Sequence, residues 1–277
     1  MNQTFKGKTL SKKIYDEIRG KLSEVSVSPR LDIILASPDK GSSVYTKLKK
    51  EKCKELGFDC RLHEFSSRVR QIEIKKSIEK LNDNEKVDGV LVQLPLYNHL
   101  DRYKVLEVIN SGKDVDGLTS KNRGGLLEGV ENFSPCMPQA VFEILNFKDI
   151  RVEGKHVVII NHSSLVGKPL AIMFMNRGAT VTVCHKKTSH LREHTKRADI
   201  LVSSTGKPNL VNEGMVKEGS VVLDTGFSLQ GDKIMGDVNF DEIKKGLELK
   251  VPVPGGVGPV TVAVLMRRLF LMAKSSS

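Results

Sequence analysis

Short, wholly apolar runs trade places along this chain with longer stretches that are apolar at every third or fourth position, and that exchange leaves few folds open. A four- to six-residue aliphatic run suits a strand buried on both faces, and such strands are joined by crossover helices. Leu10, Ile14, Ile18 and Leu22 mark one face of an opening helix. LDIILA (residues 31–36) reads as a strand, Ser37-Pro38-Asp39 as a turn, and the lysine-rich residues 43–56 as a helix stopped by Gly57. CRLHEF (60–65) alternates, 72–81 is amphipathic, VDGVLVQL (87–94) is a buried-type strand, and 101–109 reads as a helix. After a loop-like stretch at 111–138 the exchange resumes. Helices are expected at 139–147 and 165–176, strands at 155–160, 179–184, 198–204 and 220–225, and a docking helix at 260–273. The pattern is that of βαβ units and parallel sheets: an α/β protein of two α/β domains. Residues 1–136, completed by the closing helix within 257–277, are expected to form the first domain. Residues 137–256 form the second, with a Rossmann-like parallel sheet, and an active-site cleft is expected between the two.

Composition narrows the class. At 277 residues there is room for about two domains with ordinary cores. No apolar run reaches membrane-spanning length, since residues 260–273 are broken by Arg267 and Arg268. The opening MNQTFKGKTLSKK lacks the apolar segment of a secretory signal, so a cytoplasmic protein with no membrane partner is expected. Cys53, Cys60, Cys136 and Cys184 form no CxxC pair, which points to reduced thiols and no metal site. The formal charge of +11 suits an anionic partner. With no Trp, four Tyr and basic residues spread along the chain, that partner is expected to be a small anion and not nucleic acid.

After the strand at 155–160 comes NHSSLVGKP (161–169) and then a helix. A strand feeding a small-residue turn at a helix start turns backbone N–H groups toward a pyrophosphate. The positions of a G-x-G-x-x-G fingerprint hold Asn161, Ser163 and Val166, with Gly167 one residue later, so an ordinary βα turn is the bland alternative. The next strand ends in His185-Lys186-Lys187, where a Rossmann half meets the adenosine ribose. Basic residues there favour a 2′-phosphate, hence NADP; a solvated turn is the alternative.

Three further stretches carry chemistry. In SSVYTKLKKEKCKELG (42–57) Tyr45 and Lys49 are four apart, on one helix face. DGVLVQLPL (88–96) puts Gln93 at the carboxyl end of a buried strand, and GKDVDGLT (112–119) carries Asp114 and Asp116 in a loop. Taken singly, Lys49 is one solvated lysine among Lys47, Lys50, Lys52 and Lys54, Tyr45 a core aromatic, Gln93 a strand-end cap and Asp116 a turn former. Together with SPCMP (134–138), GDV (236–238) and PVPGGVGPVT (252–261), in that order, they resemble the methylenetetrahydrofolate dehydrogenase/cyclohydrolase family.

The resemblance implies NADP-dependent oxidation of 5,10-methylenetetrahydrofolate to the methenyl compound, then hydrolysis to 10-formyltetrahydrofolate. It makes Lys49 the catalytic lysine, Gln93 its hydrogen-bonding partner, Tyr45 a stacking ring for the aminobenzoate and Asp116 the acceptor for the pterin's two-donor edge; Asp114 is left structural. Loss of hydride leaves a cation, which a neutral lysine tolerates and a charged one repels. The same amine, cycling between its forms, can then activate water and protonate the ring nitrogen. Coenzyme contacts are expected from Asn161, His162, Ser163, Val166, Gly167, His185, Lys186 and Thr205. The family's Gly-Arg-Ser is here Asn161-His162-Ser163, and its serine after His185 is Lys186, so Lys186 with His162 is expected to take over the phosphate contact. The family's Pro-Cys-Thr-Pro-x-Gly reads Pro-Cys-Met-Pro-Gln-Ala at 135–140. A homodimer paired through the nucleotide domain and polyglutamylated folates are further expectations from the resemblance. A single-activity member, or a non-catalytic NADP-binding protein, is the alternative.

Overall fold

The computed structural model describes residues 3–25, 28–37, 40–231 and 233–276. In chain order the elements begin with β1 (Gln3–Thr4), α1 (Gly7–Gly20), β2 (Arg30–Leu35), α2 (Lys40–Leu56), β3 (Asp59–Glu64), α3 (Gln71–Asn82) and β4 (Gly89–Gln93). Next come α4 (Arg102–Leu106), α5 (Ser120–Gly125), α6 (Cys136–Phe147), β5 (His156–Ile160), α7 (Gly167–Met175) and β6 (Thr180–Cys184). The chain closes with α8 (Leu191–Thr195), β7 (Ile200–Ser203), β8 (Val221–Asp224), the hairpin β9 (Ser228–Gln230) and β10 (Lys233–Met235), β11 (Leu249–Val251) and α9 (Val257–Ser276). Two compact units result: residues 13–124 with 262–276, and residues 3–12 with 125–261. Among the described residues no helix is long and apolar enough to cross a membrane.

In the unit of 13–124 and 262–276 a three-stranded parallel sheet runs in the order β3-β2-β4. Every residue of β2 is buried, as expected of a central parallel strand. The last helix lies over β4, where a Cβ at Gly89 would come within 2.8 Å of Leu269 Cδ1. Arg268 donates to Val115 O at 3.1 Å, and Cys53 Sγ meets Met266 Sδ at 3.6 Å.

The other unit holds a six-stranded, all-parallel sheet, β1-β11-β8-β7-β5-β6. From β5 the chain adds β6 on one side, then β7, β8 and β11 on the other. This is doubly wound order with its switch point between β5 and β7, where open α/β sheets place their ligands. Ile160 is level with both Cys184 and Ser203. The loops beginning at Asn161, His185 and Ser204 therefore leave the sheet side by side.

Boundaries moved where local contacts outweighed periodicity. The helix read from 165 starts at Gly167, because Ser163 Oγ accepts from Val166 N–H and holds 164–166 as a turn. The helix read over 101–109 is α4 alone, since Val108 and Ile109 donate back three residues to Val105 and Leu106 and tighten the chain into turns. The loop-like stretch contains α5 and a 3₁₀ turn at Leu126–Glu128. β1, β11 and the β9–β10 hairpin, of two or three residues each, were too short for any period to reveal. Pro38 and Asp39 of the expected turn lie outside the described residues.

Candidate active site

Helix α2 puts Tyr45, Lys49 and Cys53 four residues apart, on one face. Lys49 is only 8% exposed, and its Nζ donates to Gln93 Oε1 at 2.9 Å. Gln93 Nε2 donates in turn to Leu94 O at 2.9 Å, which fixes the amide so that its oxygen faces the lysine. Ser42 Oγ, at the start of α2, also donates to Leu94 O, at 3.1 Å, tying the helix to the end of β4. Gln93 thus offers the lysine a neutral acceptor. Tyr45 is half-buried, and burial pushes its phenol pKa above the ordinary range, so it stays uncharged.

Asp116 is half-buried in the loop beyond β4. Asp114 bridges in parallel to Val90, so the chain carries Asp116 in the same direction that β4 carries Gln93. The neighbouring carboxylate is structural: Asp114, 1% exposed, accepts from the N–H groups of Gly117, Leu118 and Thr119 and from Asn122 Nδ2. Gly117 has φ +72°, a turn that glycine supplies without strain.

In the other unit Asn161 organises the βα turn. Its Oδ1 accepts from Ser163 N–H at 2.7 Å and Gly167 N–H at 3.1 Å, while its Nδ2 donates to Ser204 O across the switch point. Strand and helix pack so closely that a Cβ at Gly167 would collide with Asn161 O, the role of the packing glycine in a dinucleotide turn. Val166 is the residue before the first turn of α7. The rings of His162 and His185 lie 4.8 Å apart, bringing the β5 loop and the end of β6 together. Lys186 is exposed beside them and forms no ion pair among the described residues. Thr205, also exposed, donates its N–H to Asp237 Oδ2. A level strand edge, a glycine-tight turn and a basic end to the second strand fit a phosphorylated dinucleotide.

Two carboxylates here had no role in the sequence reading. Asp224, at the end of β8, and Asp237, in the GDV stretch, are both fully buried. Burial, with Asp237's charge adding to it, pushes the Asp224 pKa up to about 6 against the N–H groups of Val238, Asp237 and Gly226. The available signal was an aspartate closing an aliphatic run, with a glycine two residues on. Free thiols are found at Cys53, Cys60, Cys136 and Cys184.

The family model for the catalytic domain of tetrahydrofolate dehydrogenase/cyclohydrolase matches residues 5–116, and that for its NAD(P)-binding domain matches residues 135–277. The bifunctional protein FolD of Nitratiruptor sp. is 42% identical over 276 residues, 98% of each chain. The solved structure of the bifunctional FolD enzyme of Campylobacter jejuni superposes with a TM-score of 0.95 at 40% identity, covering 99% of both chains. The Trypanosoma brucei enzyme, solved with NADP and an inhibitor, reaches a TM-score of 0.95 at 32% identity, over 99% of this chain and 98% of that one. With both domains matched and such identity sustained along its whole length, the chain belongs to the tetrahydrofolate dehydrogenase/cyclohydrolase family.

Proposed function

We propose that Lys49, Gln93, Tyr45 and Asp116 handle the folate and that Asn161, His162, Ser163, Val166, Gly167, His185, Lys186 and Thr205 hold NADP. The chain is a bifunctional one-carbon folate enzyme. It oxidises 5,10-methylenetetrahydrofolate to 5,10-methenyltetrahydrofolate and hydrolyses that product to 10-formyltetrahydrofolate. The observation that carries the assignment of roles is the buried hydrogen bond from Lys49 Nζ to Gln93 Oε1.

When bound, NADP supplies the acceptor for the hydride leaving the methylene carbon. The chain's own residues orient the folate for that step: Tyr45 gives an uncharged aromatic face and Asp116 accepts from the pterin's paired donors. Gln93 orients the lysine through a neutral oxygen and adds no charge of its own beside the developing cation. In the hydrolysis Lys49 takes a proton from the water that attacks the methenyl carbon. It returns that proton to the ring nitrogen as the C–N bond breaks and the remaining hydroxyl proton leaves to solvent while the formyl C=O forms, a general acid–base role worth about 10²–10⁴ in rate. At the coenzyme, His162 and Lys186 would meet the 2′-phosphate where the family has an arginine, and the turn that Asn161 holds before α7 would seat the pyrophosphate at the helix's amino end.

The finer readings have their own support. Excess positive charge favours polyglutamylated folates, and free thiols favour the cytoplasm. A homodimer would form along β6, an edge strand with Val183 exposed, next to exposed Met175, Leu127 and Val130. Val183→Glu should then shift the protein from dimer to monomer on sedimentation. The function itself is tested by mixing pure protein with methylenetetrahydrofolate and either NAD or NADP, following reduced nicotinamide and 10-formyl product separately. Both signals with NADP are expected; no product with either coenzyme would remove the assignment.

A further inference from the structure

The GDV stretch has no part in the chemistry above, yet its aspartate is fully buried beside the switch point. Asp237 Oδ2 accepts from Ser203 Oγ at 2.7 Å and from Thr205 N–H, the residues on either side of the end of β7. The same segment supports that loop through its backbone: Asn209 N–H donates to Gly236 O at 3.3 Å, and Val211 N–H donates to Asp237 O at 2.9 Å. Asn161 Nδ2 holds Ser204 O from the opposite side. The turn leaving β7 is thereby clamped between the β5 loop and the Asp237 carboxylate.

Asp224 supports the clamp. Its Oδ1 accepts from Gly226 N–H and its Oδ2 from Val238 N–H, each at 2.9 Å, and the second bond seats the peptide that follows Asp237. Both carboxylates rest on glycine. A Cβ at Gly226 would collide with the Asp237 carboxylate, and one at Gly236 with that of Asp224. Asp237 Oδ1 is buried and has no hydrogen-bond partner among the described residues. An under-satisfied buried carboxylate is costly, so its retention calls for a role.

We infer that Asp237 is a positioning residue for the coenzyme: by fixing the Ser203 hydroxyl and the Thr205 amide it sets the β7 turn against the βα turn at Asn161, with Asp224 seating Asp237. The inference rests on the proposed placement of NADP at this switch point.

The test uses the full-length protein titrated with NADPH, whose own fluorescence reports binding, together with dehydrogenase kinetics and thermal melting. Asp237→Ala should raise the NADPH Kd and the KM for NADP about tenfold, the scale of a lost hydrogen bond to a charged group, while kcat at saturating NADP stays within about threefold. Asp237→Asn keeps an accepting oxygen and should return both constants to within about threefold of wild type. An Asp237→Ala protein that binds NADPH as the wild type does overturns the inference. So does one in which kcat and melting temperature fall while KM does not move. If Asp237→Ala does not fold, Ser203→Ala decides: weaker NADPH binding supports the clamp, and unchanged binding overturns it. A wild type that binds no NADPH overturns the placement of the coenzyme and the inference with it. Wild-type binding with no response in the variants overturns the inference alone.

Discussion

The α2–β4 site and the β5–β7 crevice solve different problems. At the first, the groups proposed to work are side chains borne by regular elements: an amine on a helix and an amide at a strand end, joined by a 2.9 Å hydrogen bond. At the second, the N–H groups of Ser163, Gly167 and Thr205 are bound by the side-chain oxygens of Asn161 and Asp237, which thereby set the shape of the turns proposed to hold the coenzyme. A side-chain site depends on residue identity. A backbone site depends on shape, which explains how Asn161-His162-Ser163 can stand where the family has Gly-Arg-Ser while Gly167 keeps the tight strand–helix approach.

That contrast is open to attack. Lys49→Met removes the only proton carrier proposed for the hydrolysis, so turnover of supplied methenyltetrahydrofolate should fall at least about 100-fold. Near-normal turnover would make the lysine a bystander and erase the distinction between the two sites.

The buried Asp224 gives the coenzyme unit a pH signature of its own. Asp224 has its pKa raised to about 6 in the folded protein, so the native state keeps a proton that the unfolded chain releases at about pH 4. Its contribution to stability is therefore present below pH 4 and is lost as pH rises through 6, by on the order of 2–3 kcal/mol. Asp224→Asn should flatten that part of the stability curve in denaturant titrations at pH 4, 5, 6 and 7. Its stability at every pH should be lower, because an NH₂ group replaces an oxygen that accepts from the backbone. A slope unchanged by the substitution would assign the pH response to another group.

The smallest effect is the most selective. Lys186→Ala should raise the KM for NADP by about tenfold and leave the KM for NAD nearly unmoved, as befits one charge-assisted bond to a 2′-phosphate. Equal effects on both coenzymes would put the phosphate elsewhere.

Much of this was legible in the residues. The buried strands β2, β4, β5, β7 and β8 were visible as aliphatic runs, and α2 and α7 as the helices following two of them, because burial on both faces leaves no room for polar side chains. Lys49, Gln93 and Asp116 were singled out only through the resemblance carried by several stretches together, since each alone has an ordinary structural reading, and the roles given to them are proposals. The Arg30–Asp32–His63 cluster was not: Asp32 lies in a run that reads as aliphatic, yet it is fully buried and accepts from Arg30 at 2.7 Å, with His63 Nε2 at 2.6 Å. Its hydrogen-bond partners come partly from another strand, which periodicity does not register.

By itself, then, the sequence determined the α/β class, the order of buried strands and the residue types able to move a proton or meet a phosphate, since period and composition are local properties. The tertiary structure alone decided which groups meet. Lys49 finds Gln93 across 44 residues and Asp237 finds Ser203 across 34, and both pairings depend on strand register and helix packing. Those are set by the summed contacts of a whole unit, a quantity that no local stretch of sequence contains.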